Sequence, residues 1–223
     1  MPKFVSIEEA VKLIPDGASI MFGGFMGCGN AHKFIDALSK SGVKDLTMIC
    51  NDGSMPGGPM GEDYYGVAKL IHNKQVKKLI ATHVGLNPEV ATQSMQDGTL
   101  EVVLIPQGSL AEMIRADGAG LGGVLTPTGV GTVVAEGKQE IEVNGKKYLL
   151  ETPLRAEVAV VKAWKADSSG NLVYRRAAKN FNPMMAMAAD FVIAEVEEIV
   201  EVGAIDPDLV CTPGVCVDMI VKL

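Results

Sequence analysis

Four glycines fall within seven residues in Gly23-Gly24-Phe25-Met26-Gly27-Cys28-Gly29. The apolar run Ala18-Ser19-Ile20-Met21-Phe22 precedes them, and Ala31–Leu38, with apolar residues at helical spacing, follows. Strand, glycine loop and helix in that order turn backbone N–H groups and a helix N-terminus toward an anionic or carbonyl group. Glycine permits the close approach because no Cβ intervenes. Two more polar clusters follow apolar runs in the same way. Asn51-Asp52-Gly53 comes after Leu46–Cys50, and Pro106-Gln107-Gly108 comes after Glu101–Ile105. Local chemistry alone reads Asn51 as an Asx-turn and Gln107 as a helix-entry residue behind Pro106.

The elements that would position these residues alternate along the chain. Strands are expected at Ala18–Phe22, Leu46–Cys50, Lys78–Thr82 and Glu101–Ile105, and helices near Ala31–Ser41, Tyr64–His72, Pro88–Met95 and Ser109–Ala116. Ser6-Ile7-Glu8-Glu9 has the pattern of a capping box for a short first helix. This alternation implies an α/β fold, an open, mainly parallel, doubly wound sheet with ligands beyond the carboxyl ends of its strands. In the second half, Ile141–Tyr148 reads as a β-hairpin through Asn144-Gly145. Ala156–Ala163, Asn171–Tyr174 and Phe191–Ala194 read as further strands. Gly118–Gly123 is a candidate mobile loop, and Thr126–Thr132 is a second turn-rich block. Neither repeat nor linker divides the chain, so residues 1–223 are expected to form one domain.

Composition narrows the functional classes. The chain is 48% hydrophobic, only 5% aromatic, and carries a net charge of −7. Such an acidic balance argues against nucleic acid or an anionic membrane as partner. The cysteines Cys28, Cys50, Cys211 and Cys216 form no CxxC or zinc-finger spacing, and His32, His72 and His83 are scattered. No metal site is expected, the histidines read as structural, and Cys28 reads as a small buried filler. The N-terminus lacks the pattern of a signal peptide, and no apolar run approaches the roughly 20 residues of a membrane helix. A soluble, cytoplasmic protein is expected. The glycine loop does not fit G-x-G-x-x-G in the register of a nicotinamide-binding turn. A stand-alone sugar-phosphate isomerase or binder of related architecture is the alternative reading. No Asp/Glu–His pair is evident near the glycine loop to support it.

Four blocks taken together carry a resemblance. They are Gly23-Gly24-Phe25; Pro106 to Leu110; Gly118 to Gly122 with Pro127 to Thr132; and Ala163 to Asp167 with Lys179 to Asn182. Over essentially the whole chain they resemble the α subunit of family I coenzyme A transferases, most closely the 3-oxoacid branch. Asp16 to Gly29 fit the family fingerprint, while Ala31 stands where the family usually has proline.

The resemblance implies a ping-pong reaction through a glutamyl-CoA thioester, with acyl-CoA as substrate and no tightly bound cofactor. The nucleophilic glutamate of the family lies in a Ser-Glu-Asn-Gly motif on the β subunit, and this chain has no such motif. The resemblance therefore implies half an enzyme, completed by a β subunit in an α2β2 assembly. Gln107 and Asn51 match amides that line the reacting carboxylate's pocket, and Gly23, Gly24, Phe25, Gly27 and Gly29 would shape its wall. Glu62, Glu89, Glu112 and Glu136 carry no mark of a nucleophile and read as solvated. Lys74, Lys77, Lys78, Arg115, Lys165, Arg175 and Arg176 are available cations, but none sits in a phosphate motif. Residues 52–66 look longer than in the relatives, and they are expected to border the acyl pocket and tune acid specificity.

Overall fold

The run Ala18–Phe22 has no polar face, so a strand formed there must be covered on both sides. In the computed structural model, which describes residues 1–223, Ser19–Phe22 lies at the middle of a nine-stranded sheet. The elements in chain order are β1 (Lys3–Val5), α1 (Ile7–Val11), β2 (Ser19–Phe22), α2 (His32–Leu38), β3 (Leu46–Cys50), β4 (Met55–Pro56) and β5 (Tyr64–Tyr65). Then come α3 (Ala68–His72), β6 (Val76–Ala81), α4 (Pro88–Ala91), β7 (Glu101–Leu104), α5 (Gln107–Gly118), β8 (Val124–Thr126), β9 (Glu140–Val143) and β10 (Lys146–Glu151). The chain ends with β11 (Ala156–Asp167), β12 (Leu172–Val173), α6 (Asn182–Met185), β13 (Ala189–Val200) and β14 (Met219–Lys222).

The sheet runs β1-β14-β13-β11-β2-β3-β6-β7, with every pair parallel, and β12 adds antiparallel to β11. Alternate side chains feed two cores. Ile20, Phe22, Met48, Val158 and Val160 pack under α1 to α4, while Met21, Ile49, Ala159 and Val161 pack under α5 and α6. Both faces are thus covered, as a parallel sheet requires. A three-stranded antiparallel sheet, β8-β10-β9, stands apart, and Asn144 and Gly145 turn its hairpin with positive φ.

Several elements differ from expectation. Tyr64 and Tyr65 do not begin a helix; they pair with Met55 and Pro56 in a short hairpin. The run Phe191–Ala194 lies in the first half of a twelve-residue strand, because its polar flanks pair with the equally long β11. The terminal strands β1 and β14 are too short to show a period in sequence.

Helix α1 has the capping box, with Ser6 and Glu9 each bonding the other's backbone N–H. Helix α2 has none, because Ala31 stands at its N-cap. Glu195 of β13 reaches across to accept the Phe34 N–H at 2.8 Å. Lys162 Nζ lies 3.5 Å from both Glu195 and Glu197. Burial pushes the Glu195 carboxyl above the usual carboxylate range, against the pull of the Phe34 N–H and Lys162. Removing one member of such a buried pair strands the other charge. Glu195→Ala is expected to lower unfolding stability by about 3 kcal/mol in chemical denaturation; a loss below about 1 kcal/mol would assign the cap no structural weight.

Candidate functional site

Strand order reverses between β2 and β11. From β2 the chain proceeds outward through β3, β6 and β7, while β11 leads to β13 and β14 on the other side. The crevice at such a reversal is where open α/β sheets bind ligands. The glycine loop leaves β2 at this point.

The loop is held by side chains from distant segments. Asn30 Nδ2 donates to Gly23 O at 2.7 Å, and Asn182 Nδ2 donates to Gly29 O at 2.9 Å. Asn182 is fully buried, and its Oδ1 also accepts the Lys162 N–H. A Cβ on Gly23 would fall 1.9 Å from Asn182 Oδ1, so only glycine fits there. His32 bonds the Gly27 carbonyl at 2.9 Å through Nε2, which must therefore carry the proton. Burial lowers the His32 pKa, favouring that neutral ring. The ring braces the loop backbone.

Met26 is a non-glycine residue at φ +48°. Its N–H donates to Asp52 Oδ2 at 2.8 Å. The same oxygen accepts from Asn51 Nδ2 at 2.8 Å, and Asn51 Oδ1 accepts from Gln107 Nε2 at 2.6 Å. Gln107, Asn51, Asp52 and the glycine loop thus form one hydrogen-bonded line across the carboxyl ends of the strands. The Asx-turn falls one residue beyond expectation: Asp52 Oδ1 accepts the Ser54 N–H at 2.8 Å, while the Asn51 side chain points sideways. Asn51 and Asp52 are buried, but Gln107 is exposed at the first residue of α5. Gln107 is the helix-entry residue that local chemistry expects, and its bond to Asn51 is an added contact. Asp52, Asn30 and Asn182 carry this geometry. Sequence reasoning gave them no role; Asn30 and Asp52 adjoin glycines, while Asn182, between Phe181 and Pro183, carries no such mark.

One loop residue departs from expectation. Cys28 is exposed rather than a buried filler, because Phe25 and Cys28 exchange backbone hydrogen bonds and that tight turn sends its side chain outward. Phe25, expected to shape the pocket wall, is 44% exposed. The segment at 52–66 meets the glycine loop through Tyr65. Tyr65 packs on His32 with ring centroids 4.7 Å apart. Behind this contact lies a cavity of about 430 Å³, lined by Gly27, Cys28, Tyr65, Lys162, Arg175 and Arg176 among others.

The remaining candidates scatter. Lys74, Lys78, Arg115, Lys165 and Arg175 are paired with carboxylates. Glu136 is exposed, and Glu62 accepts from its own loop. Arg115 holds the Glu112 carboxyl below its usual range. An Asp/Glu–His pair exists elsewhere: His72 Nδ1 lies 3.0 Å from Glu89, which also accepts from Tyr64 at 2.8 Å. None of the three lines the cavity behind the glycine loop. They fasten the 52–66 segment to α3 and α4.

Gly27, at φ +80°, leaves 2.0 Å between a built Cβ and the Tyr65 ring. Gly27→Ala is expected to lower stability by about 2 kcal/mol through steric overlap and backbone strain. The double variant with Tyr65→Ala should be less impaired than the sum of the two single changes, since the overlap is then gone; additive losses in thermal melts would deny the contact.

The sequence profile described as Coenzyme A transferase matches residues 4–223. A protein of Escherichia coli K12 named acetate CoA-transferase subunit alpha is 48% identical over 219 residues, covering 98% of this chain and 96% of its own. The acetoacetyl-CoA:acetate/butyrate CoA transferase alpha subunit of Clostridium acetobutylicum is 46% identical, with 99% and 97% covered. Glutaconate coenzyme A-transferase from Acidaminococcus fermentans shares the fold at TM-score 0.83, with 20% identity and 99% and 75% of the two chains covered. These comparisons give no support to the isomerase alternative. With a profile spanning nearly its whole length and relatives at almost half identity, this chain belongs to the coenzyme A transferase family.

Proposed function

We propose that residues 1–223 act as one domain, the α subunit of a short-chain acyl-CoA:carboxylate CoA-transferase of the 3-oxoacid type. It works in the cytoplasm with a β subunit as an α2β2 heterotetramer. No helix is long and apolar enough to cross a membrane. The observation that carries the reading is the Gln107 amide, fixed by Asn51 yet exposed, on a chain without the family's nucleophile motif. Relatives that are themselves named as alpha or A subunits support a partner.

In this reading the partner's glutamate carboxylate attacks the acyl-CoA carbonyl. An acyl-glutamyl anhydride forms and coenzyme A thiolate leaves. The thiolate then attacks the glutamyl carbonyl, giving the glutamyl-CoA thioester and releasing the first acid. A second carboxylate reverses both steps. Coenzyme A arrives as a thioester substrate, and no tightly bound cofactor is called for. The chain's contribution is positioned donors. Asp52 accepts three N–H groups, so Asn51 must turn its NH2 toward it and its oxygen toward Gln107. One Gln107 N–H is thereby committed and the other is free to meet a developing oxyanion. Phe25, exposed on this chain, is placed to exclude water once a partner covers it.

Gln107→Ala in the assembled complex is expected to lower kcat about 100-fold with native mass unchanged. Asp52→Asn, which lets the amide line reverse, should lower kcat alone but cost little more when Gln107 is already alanine. Additive effects in that cycle would separate Asp52 from Gln107, and an unchanged kcat in Gln107→Ala would remove the amide from the chemistry. The chain without its partner should show no turnover.

The 52–66 segment is proposed to tune the choice of acid, since Tyr65 touches the glycine loop. Shortening it between Pro56 and Asp63 should reorder the relative rates with acetate, butyrate, acetoacetate and succinate; an unaltered ranking would make it a tolerated surface insertion.

A further inference from the structure

The segment at 52–66 backs the glycine loop with its last two residues. Tyr65 packs on His32, whose ring holds the Gly27 carbonyl. Gly66, buried at φ +53°, lies against Asn30, whose amide holds the Gly23 carbonyl. A Cβ on Gly66 would fall 2.2 Å from Asn30 Oδ1. That oxygen is buried without a hydrogen-bond partner. Contact with Gly66, rather than a bond of its own, therefore keeps the amide turned toward Gly23. Two of the side chains that hold the loop are thus supported by consecutive residues of one segment.

The segment itself has a single mooring. From Met55 to Tyr65 its hydrogen bonds are internal, with one exception. Gly57 N–H donates to the Asp63 carbonyl, Gly58 N–H to the Glu62 carbonyl and Met60 N–H to the Glu62 carboxylate, while β4 pairs only with β5. The one hydrogen bond that leaves it runs from Tyr64 Oη to Glu89 Oε1 at 2.8 Å. Successive residues of a strand point to opposite sides, so Tyr64 faces away from the loop that Tyr65 meets. Glu89 is gripped in turn. His72 Nδ1 lies 3.0 and 3.1 Å from its two oxygens, and the His72 ring stacks on Tyr64 with centroids 3.9 Å apart. A carboxylate only accepts, so Nδ1 carries the proton.

We propose that Glu89 is a positioning residue for the transfer reaction: by holding Tyr64 it seats Tyr65 and Gly66 on His32 and Asn30, and so fixes the glycine loop. A released hairpin would free both holders to shift, and with them the Met26 N–H that Asp52 accepts. The line from Asp52 through Asn51 to Gln107 begins at that bond. Glu89 itself touches no reacting group. The inference rests on the transferase reading, in which Gln107 meets the developing oxyanion.

The test uses the complex with its β subunit. Glu89→Ala is expected to lower kcat about tenfold, with KM for acyl-CoA within about twofold. Amide exchange over residues 23–29, followed by mass spectrometry, should quicken about fivefold in the same variant. Tyr64→Phe, which removes one O–H and keeps the stack on His72, should move kcat and exchange in the same direction by smaller factors. Glu89→Gln should recover most of both, because Oε1 accepts from Tyr64 and from His72 and an amide oxygen can do the same. Faster exchange confined to residues 55–65 overturns the inference, since the hairpin would then loosen without the loop. Faster exchange throughout the chain overturns it too, by making Glu89 a support of the whole fold. So does Glu89→Gln as impaired as Glu89→Ala, which would assign the effect to charge. If the complex transfers no coenzyme A, the transferase reading fails, and the exchange rates still decide whether Glu89 governs the loop.

Discussion

The structure depends on how the polypeptide leaves β2. Beyond Phe22 the backbone departs from the sheet at its most buried point, and its carbonyl and N–H groups lose their ladder partners. Leaving them unbonded would cost about 1–3 kcal/mol each. Four side chains meet that demand: Asn30 on Gly23, His32 on Gly27, Asn182 on Gly29 and Asp52 on Met26. They arrive from the loop itself, from the start of α2, from the end of β3 and from α6. The turn is therefore a junction at which the two halves of the sheet are tied together.

The tie has an electrostatic character that suits its position. The line from Gln107 to the glycine loop is made of side-chain amides, backbone N–H groups and one carboxylate, with no cation in it. Such donors stabilise developing negative charge without paying the desolvation of a buried cation. They also need no reorganisation when charge appears, because each is already held by another bond. Asp52 is the buried carboxylate in this line, and three N–H groups surround it in place of a cation.

The same arrangement explains why the fold supports a site without completing one. Gln107 and Phe25 are exposed on the chain, while Asn51 and Asp52 behind them are buried. Rigid support on the inner side and open donors on the outer side suit a surface that meets reacting groups from another chain. The 52–66 segment joins the same framework through Tyr65 on the loop and through the Tyr64–Glu89–His72 contacts.

Much of this was written in the sequence. The central strands β2 and β3 are almost wholly apolar runs, as strands buried on both faces must be. The capping box of α1 and the Asn144-Gly145 hairpin are local devices, and local chemistry announces them. The blocks that carry the family resemblance were equally visible, and with them the choice of Gln107 and Asn51. The tertiary structure alone decided the rest. Tyr64 and Tyr65 left the expected helix for a hairpin, because their rings found Glu89, His72 and His32. The polar ends of β13 became strand because β11 lies beside them. Cys28 turned outward, and Asp52 and Asn182 acquired partners through contacts that no period in the sequence encodes. A side-chain hydrogen bond spanning some 150 residues, as from Asn182 to Gly29, leaves no local pattern; it exists only once the sheet has brought its ends together.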